Sequence, residues 1–266
     1  MKRLMVTPLA LMIALLTFFS IEAGAQCVTT LLTSTTLVGP AICAGDGPTI
    51  GADDITLDCN GFTITGSGGG TGIQLNGRTG VIVENCTVAN FAVGFRLMGS
   101  SSNYLTNNIA INNTSVGNGA FQLSGGSDGN VLEKNQAQNN AGRGFAVINS
   151  IGNMLIENVA VANGFRGIDL IDADGNALVR NNASQNFSAG VVIQGTSDGN
   201  ILYRNQIMGN QSEGVASLST VNYLSFNSSD VNNTYGFTDF TGGNFYLLNS
   251  CEFNGIDFSN PLGLCP

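Results

Sequence analysis

The sequence predicts an all-β solenoid in which one chain winds into about eight or nine coils with three parallel sheets around a shared core. Two observations support this: Asn residues five positions apart recur at intervals of 22 to 27 residues, and short stretches with alternating apolar side chains separate them. A repeat this short cannot bury its own apolar face, so it must stack on its neighbours. The eight pairs are Asn85/Asn90, Asn108/Asn113, Asn135/Asn140, Asn158/Asn163, Asn181/Asn186, Asn205/Asn210, Asn227/Asn232 and Asn249/Asn254.

The first 25 residues resemble a secretion signal. Lys2 and Arg3 precede an apolar run over residues 9–19, and Ala23-Gly24-Ala25 forms a small-residue cleavage motif. We therefore expect a mature chain that begins at Gln26, is secreted or periplasmic, and has no membrane span after cleavage. An uncleaved membrane anchor is the alternative, but the apolar run is shorter than the ~20 residues that a spanning helix needs.

The rest of the chain divides into a predicted N-terminal cap over residues 26–48, a solenoid over 49–256 and a C-terminal cap over 257–266. Each repeat begins with a short strand whose apolar residue, three positions before the first Asn, we expect in the core. No segment shows helical periodicity with capping residues. The core column comprises Ile82, Leu105, Leu132, Leu155, Leu178, Leu202, Leu224 and Tyr246.

Two further strands complete each repeat. The second has a small residue two positions after the first Asn, between mixed and often polar neighbours, as expected of a strand with one outward face. The third follows a Gly or Ala, as in Gly167-Ile168-Asp169-Leu170, where the first and third apolar side chains point inward and the middle residue points outward. The turns between the strands are rich in Gly, Asn and Ser.

Asn suits these turns because its short amide tolerates the left-handed conformation that a sharp turn needs. With coils ~4.8 Å apart, the donor of one amide meets the acceptor of the next, which predicts ladders of Asn side chains. An alternative for the second Asn of each pair is a surface row of amides that binds sugar hydroxyls.

Charge and composition exclude several classes of function. Without the signal, 7 basic and 17 acidic residues remain, a net charge of −10 on 241 residues (9 − 2, 18 − 1 and 266 − 25), and no basic run is present. Nucleic acid is therefore not an expected partner. The chain contains no His and no Trp, which excludes a Ser-His-Asp triad and a His-ligated zinc or copper site within it.

Six Cys in an exported chain predict disulfides. Contacts in a solenoid are mostly between adjacent coils, so pairing between neighbours along the chain is favoured over the other connectivities. We expect Cys27–Cys43 and Cys251–Cys265 at the two ends and Cys59–Cys86 between two early coils. Metal ligation by Cys is the alternative, but no CxxC spacing is present.

The sequence resembles the right-handed parallel β-helix repeat proteins, the superfamily that includes pectate-lyase-like enzymes and the NosD type of periplasmic protein. Recurrent Asn-Xaa-Leu-Xaa-Xaa-Asn and Gly-Phe/Ile-Xaa-Leu patterns carry the resemblance, together with an opening segment over residues 53–66. The resemblance covers residues 49–256 and implies a single-stranded right-handed parallel β-helix. It does not imply one chemistry, since the superfamily includes lyases, hydrolases, epimerases, adhesins and non-enzymatic scaffolds.

Few charged residues point outward, so each can be weighed as part of a site. Arg143 and Arg166 fall on successive coils, with Asp169 close by. Two Arg beside a carboxylate can hold an acidic sugar and abstract a proton from it, as in a polysaccharide lyase. A solvated surface is the alternative. Lys134, Glu157, Arg180 and Arg204 also fall on successive coils, and the first three of them are interpreted as a surface charge ladder.

A second cluster lies at a turn. Asp172, Asp174 and Asp198 are placed on adjacent coils, where three carboxylates suit Ca²⁺ and its oxygen ligands. The alternative is that Asp-Gly simply forms a good turn, since Asp128-Gly129 occurs in the same position of an earlier repeat.

Uniform coils with short turns leave a shallow surface, which excludes little water and converges few polar groups. The sequence therefore favours an exported, non-catalytic β-helix that serves as a structural or glycan-binding surface module, with a polysaccharide or cell-surface glycan as partner and no required cofactor. A lyase or hydrolase acting on acidic polysaccharide through Arg143, Arg166 and Asp169, with Ca²⁺, is one alternative. A periplasmic accessory factor of the NosD type is the other.

Overall fold

The computed structural model of the protein describes residues 25–27 and 30–265, which form 31 β-strands and no helix. All strand pairings are parallel, and the strands form three sheets of 10, 11 and 10 members. This confirms the predicted solenoid of three parallel sheets, with about ten coils rather than eight or nine. The predicted signal, except for Ala25, lies outside the described residues.

The three sheets take one strand in turn from each coil, numbered here in chain order. Sheet A contains β1 (Ala25–Gln26), β4 (Ala41–Ile42), β7 (Thr63–Thr65), β10 (Thr87–Ala89), β13 (Ile109–Ile111), β16 (Gln136–Gln138), β19 (Val159–Val161), β22 (Asn182–Ser184), β25 (Gln206–Met208) and β28 (Ser228–Asp230). Sheet B contains β2 (Thr30–Leu31), β5 (Thr49–Ile50), β8 (Thr71–Asn76), β11 (Val93–Met98), β14 (Gly119–Ser124), β17 (Arg143–Ile148), β20 (Ile168–Ile171), β23 (Val191–Gln194), β26 (Val215–Ser217), β29 (Tyr235–Asp239) and β31 (Asp257–Asn260). Sheet C contains β3 (Thr35–Thr36), β6 (Thr56–Asp58), β9 (Ile82–Glu84), β12 (Tyr104–Thr106), β15 (Val131–Glu133), β18 (Met154–Ile156), β21 (Ala177–Val179), β24 (Ile201–Tyr203), β27 (Tyr223–Ser225) and β30 (Phe245–Leu247).

The core runs along the solenoid axis as columns of like residues. Leu155 and Leu178 are fully buried and paired in register, as the repeat predicts. Three Phe rings from consecutive coils of sheet B stack with centroid separations of 4.5 and 4.8 Å, which is close to the spacing between neighbouring strands. Each coil therefore completes the burial of the one before it.

The solenoid extends into both segments predicted as caps. Strands β1 to β4 lie within residues 25–42 and pair with the coil that follows, and β31 pairs with β29 at the other end. The first and last coils thus already have the parallel pairing of the rest.

The predicted register is wrong by one residue in the first repeat. Leu105 pairs with Val83, so Val83 is the buried residue and Ile82 is 36% exposed. In the same repeat Cys86 and Phe91 occupy the positions of later Asn residues: their backbone N–H groups donate to the side chains of Asn108 and Asn113. The adjacent Asn85 misled the alignment by sequence.

Three buried ladders of Asn side chains run parallel to the axis. In the second ladder, Asn158 Oδ1 accepts hydrogen bonds from the backbone and side chain of Asn135, while its Nδ2 donates to Leu132 O at 2.8 Å and to Asn181 Oδ1 at 3.1 Å. Each of the four bonds connects Asn158 to a neighbouring coil. Because both hydrogens of its amide donate and its oxygen accepts twice, the side chain is fully hydrogen-bonded. The ladders comprise Asn103/130/153/176/200/222/244, Asn108/135/158/181/205/227/249 and Asn113/140/163/186/210/232/254.

The ladders confirm the predicted stacking of amides but correct two details. The second Asn of each later pair is buried, for example Asn163 at 1% exposure, so these amides do not form a surface row for sugar hydroxyls. The left-handed residue at the turn after sheet C is the one before the ladder Asn, even when it is Glu157 or Arg180, at φ of 54° and 53°. The ladder holds these non-Gly residues in an unfavourable conformation.

Three disulfides, Cys27–Cys43, Cys59–Cys86 and Cys251–Cys265, join the predicted partners and account for all six Cys. In the described residues we find no helix that is long and apolar enough to cross a membrane.

Candidate functional site

The predicted cluster of Arg143, Arg166 and Asp169 forms on the outer side of sheet B. Arg143 begins β17, and Asp169 occupies the outward second position of β20, one residue beyond the fully buried Ile168. Arg166 lies in the turn before β20. The next residue must be Gly167, because the backbone here lies close to the following coil. A Cβ at this position would be 2.6 Å from Gly190 O and 2.7 Å from the Nδ2 atom of the ladder residue Asn186.

Asp169 is a fully buried carboxylate that ties both guanidinium groups together. Its Oδ2 accepts from Arg143 Nε at 2.5 Å and from Arg166 Nη1 at 2.9 Å, while its Oδ1 accepts from Gln194 Nε2 at 3.0 Å. The two Arg side chains keep 15% and 21% of their surface exposed. Two positive charges against one negative charge leave this cluster with a net charge of +1 in a chain of net −9.

An aromatic ring and a loop complete the support of the two Arg. Phe165 lies between them, with the guanidinium carbons of Arg143 and Arg166 at 5.2 and 4.8 Å from its ring centroid, within the range of cation–π contacts. Arg143 Nη1 also donates to Gly117 O at 2.6 Å, in the loop over residues 115–118 between β13 and β14. Both guanidinium groups are thus fixed in orientation before any ligand arrives.

The cluster continues a polar row along sheet B. Arg96 and Gln122 are direct neighbours in register, followed by the small Ala146 and then by Asp169. Three coil steps at ~4.8 Å place Asp169 about 14 Å from Arg96 along the axis. We call the surface formed by Arg96, Gln122, Arg143, Arg166 and Asp169 the arginine face.

Unpaired polar atoms concentrate on this side of the molecule. Of seven buried side-chain N or O atoms without a hydrogen-bond partner in the described residues, six lie on or next to strands of sheet B. They include two donors, Arg96 Nε and Arg166 Nε, and two acceptors, Gln122 Oε1 and Asn76 Oδ1. These atoms are themselves buried, so the parts of the face that a ligand can reach are the exposed portions of the Arg96, Arg143 and Arg166 side chains.

Sequence reasoning missed Phe165, Gln194, Arg96 and Gln122. The signal for Arg96 and Gln122 was present, since both are the outward middle residue of a third strand, the position that Asp169 also occupies. Phe165 and Gln194 lie outside that column: Phe165 is in the turn before β20, where it contacts both Arg, and Gln194 ends the neighbouring strand β23, where it donates to Asp169.

The three Asp of the predicted cation site each accept a hydrogen bond from a backbone N–H group of the next coil. Asp172 Oδ1 accepts from Thr196 N, Asp174 Oδ1 accepts from Asp198 N, and Asp198 Oδ1 accepts from Thr220 N. Each carboxylate is bonded to the backbone of the next coil instead of converging with the others. Within the described residues, no group of three or more His, Cys, Asp and Glu is placed to hold a metal ion.

The predicted charge ladder of Lys134, Glu157 and Arg180 is present. Glu157 Oε1 is 3.1 Å from Arg180 Nη1, and Glu157 Oε2 is 4.0 Å from Lys134 Nζ. Arg204 instead places its guanidinium carbon 5.0 Å from the ring centroid of Tyr203. These side chains are largely exposed and lie on a different part of the surface from the arginine face.

The comparisons with known proteins agree on the fold. The family model described as "Periplasmic copper-binding protein (NosD)" matches residues 46–250, more than three quarters of the chain. Comparison with curated protein sequences gave no significant match.

Among solved structures, the Azotobacter vinelandii mannuronan C-5 epimerase AlgE6 A-module is 16% identical, with a TM-score of 0.74 over 88% of this chain and 73% of that one. A point mutant of the periplasmic alginate epimerase AlgG is 12% identical, with a TM-score of 0.60 over 85% and 67%. Pectate lyase Pel9A is 14% identical, with a TM-score of 0.61 over 86% and 64%. At these identities the likeness concerns the fold.

The donor atoms of this chain do not fit copper. Copper favours imidazole, thiolate and thioether ligands, but the chain has no His, and all six Cys form disulfides. The three Met in the described strands, Met98, Met154 and Met208, lie on sheets B, C and A respectively and cannot converge.

The match over residues 46–250, the parallel coils and the three disulfides thus lead to one conclusion: the chain belongs to the NosD family and is an exported, secreted or periplasmic β-helix protein, without the ligands that the family description of copper binding would require.

Proposed function

We propose that this protein binds an acidic polysaccharide along the arginine face and does not cleave it. The observation that carries the proposal is the pair Arg143 and Arg166, fixed in orientation by the buried Asp169 and by Phe165. Guanidinium groups match carboxylates in shape as well as in charge, and a fixed pair loses little side-chain entropy on binding.

The remaining polar atoms of the face suit a sugar chain. The half-buried side chains of Arg96, Arg143 and Arg166 keep part of their surface exposed, and their guanidinium groups supply donors for carboxylate and hydroxyl oxygens. They lie along the solenoid axis, so an extended polymer running parallel to the axis would meet them in succession.

Cleavage is the weaker interpretation because Asp169 is not available as a base. A general base must reach the proton that it abstracts. The Asp169 side chain has no exposed surface, and both of its oxygens accept hydrogen bonds from Arg143, Arg166 and Gln194. Its evident role is to hold the two Arg in position.

The structural neighbours support this choice of ligand class, since the names of three of them contain mannuronan, alginate and pectate. We propose the same class of polymer as the ligand of this protein, but we do not propose that it catalyses the reactions of these enzymes.

The test compares two Arg→Ala variants for binding to immobilised alginate and polygalacturonate. Arg166→Ala removes a fixed guanidinium but leaves Asp169 paired with Arg143, and we expect about tenfold weaker binding, or ~1.4 kcal/mol. Arg180→Ala is the matched control, because it removes the same charge from the largely exposed charge ladder. Equal binding by the wild type and both variants would refute the proposal, as would the absence of any binding.

A second assay decides between binding and catalysis. The protein is incubated with the same polymers and new chain ends are counted. We expect none; release of products that Asp169→Ala abolishes would establish the lyase or hydrolase alternative instead.

Family membership favours a second candidate role, that of a periplasmic accessory factor that acts through a protein partner. The tagged protein would be recovered from the native envelope after cross-linking. Recovery of one partner in stoichiometric amount supports this role, and recovery of the protein alone removes its support.

A further inference from the structure

The outer side of sheet C carries an uninterrupted apolar row. The first residue of each strand points outward, and eight successive coils place an apolar residue there. Five of these side chains are exposed, with exposed fractions that rise toward the last coil: Ile82 at 36%, Met154 at 41%, Ile201 at 46%, Tyr223 at 47% and Phe245 at 55%. The row, in register, is Ile82, Tyr104, Val131, Met154, Ala177, Ile201, Tyr223 and Phe245.

The equivalent row of sheet A shows that this is not a general property of the solenoid. The outward first positions of its strands are mostly polar: Thr63, Thr87, Ile109, Gln136, Val159, Asn182, Gln206 and Ser228. Sheet C broadens its apolar surface in the last coils, where Leu247 and Leu248 are also exposed. We call this surface the sheet C stripe.

The stripe is large enough to need an explanation. Eight coils at ~4.8 Å span about 34 Å, and a three-residue strand is about 10 Å long, so the stripe measures on the order of 300 Å². Scattered exposed apolar residues are normal in soluble proteins, but a contiguous patch of this size marks an interaction site.

We infer that the sheet C stripe is where a second copy of this chain docks, sheet against sheet. Two rows of side chains with the same ~4.8 Å repeat interdigitate along their whole length, whereas a partner with another repeat would match at a few points only. A twofold axis brings the stripe onto itself, which is the usual symmetry of homodimers. An area on the order of 300 Å² from each copy is smaller than the ~800 Å² per partner of a standard interface, so the dimer is weak and reversible.

Docking through sheet C leaves the arginine face on sheet B uncovered. The dimer therefore neither requires nor blocks the proposed polysaccharide binding, and the two proposals can fail separately.

Sedimentation velocity of the mature chain tests the inference over about 1 μM to about 1 mM, the range in which a weak interface associates. We expect a shift from monomer to dimer as the concentration rises. Met154→Glu places a charge in the middle of the stripe and should weaken association by at least about tenfold. Met208→Glu is the matched control: Met208 is also 41% exposed but lies on sheet A, so its dimerisation should equal that of the wild type.

Two outcomes would overturn the inference: a wild type that stays monomeric throughout the range, or a Met154→Glu variant that dimerises as well as Met208→Glu. Thermal unfolding of each variant confirms that it is folded. Ile201→Glu, two coils along the same row, guards against an effect peculiar to Met154.

Discussion

At the scale of single residues, the ladder Asn side chains link one coil to the next. Asn158 makes four side-chain hydrogen bonds, and each bond joins it to a coil other than its own. Buried amides of this kind are stabilising only while all of their partners are present, because an unpaired buried group retains its full desolvation cost. We therefore expect the ladders to tolerate substitution poorly.

Asn158→Asp tests this expectation with a nearly isosteric change. The carboxylate loses the donor to Leu132 O, turns the contact with Asn181 Oδ1 into a repulsion and buries a charge. We predict a loss of about 3 kcal/mol or more in the free energy of unfolding, measured by urea denaturation. Asn107→Asp is the control: Asn107 is exposed in a turn before a ladder Asn, and its replacement should cost less than about 0.5 kcal/mol. Similar losses in the two variants would contradict the structural role assigned to the ladders.

Single residues also mark the limit of prediction from sequence. Cys86 replaces an amide at a ladder position while Asn85 stands beside it, so the alignment selected Ile82 for the core although Val83 is buried. A shift of one residue in a strand exchanges its inner and outer faces. The two possible alignments of this repeat place either Ile82 or Val83 in the core, and both residues are apolar. The repeat pattern alone therefore does not decide between them.

At the scale of elements, most of the fold follows from the sequence. Periodic apolar residues with Gly, Asn and Ser turns place three strands in each coil, and pairing of parallel strands follows from stacking. The site follows less well. Arg143, Arg166 and Asp169 could be grouped by coil position, but the contribution of Phe165 and the 115–118 loop depends on the path of turns that carry no pattern.

The turn after β29 provides an element-scale prediction on pH. Burial alone would raise the pKa of Asp239, but hydrogen bonds from Gly242 N, Asn244 Nδ2 and the backbone and hydroxyl of Thr241 outweigh it and lower the pKa below its ordinary value. The stabilisation is therefore complete above the unfolded-state pKa of about 3.9 and is lost as the pH falls through the lower folded-state pKa.

Asp239→Asn should remove this pH dependence. We expect the variant to be less stable than the wild type at neutral pH by about 1–3 kcal/mol, and the difference to shrink as the pH falls below about 4. Urea midpoints between about pH 6 and about pH 2 measure it. A difference that is constant over this range would show that the Asp239 charge does not stabilise the last coils.

At the scale of the whole molecule, family and chemistry diverge. The chain belongs to a family described by copper binding, yet it contains no imidazole, no free thiol and no converging thioethers in the described strands. What it retains is the long, regular surface of a parallel β-helix, on which different sheets offer different chemistry.

Titration with copper checks this divergence. Calorimetry of the mature chain with Cu(II), and with Cu(I) under reducing conditions that leave the disulfides intact, should show no site tighter than about 10 μM. One equivalent of copper retained after dialysis would contradict the donor-set argument. The same titration with Asp169→Asn would then ask whether carboxylates had been underestimated as ligands.

The two faces proposed here follow from the same geometry. Because every coil repeats at one spacing, a single outward column becomes a continuous stripe, polar on sheet B around Arg96 and Gln122 and apolar on sheet C around Met154 and Ile201. A β-helix with both faces intact would bind a polymer on one side and a second copy on the other.

The most direct measurement of the central claim is the affinity of the wild-type protein for alginate at two ionic strengths, with neutral dextran as a comparison. Binding through the arginine face should be detectable at about 0.01 M salt, fall several-fold at about 0.15 M, where charges are screened beyond ~8 Å, and be absent for dextran. Equal affinity for both polymers, or affinity for alginate that is indifferent to salt, would contradict the account.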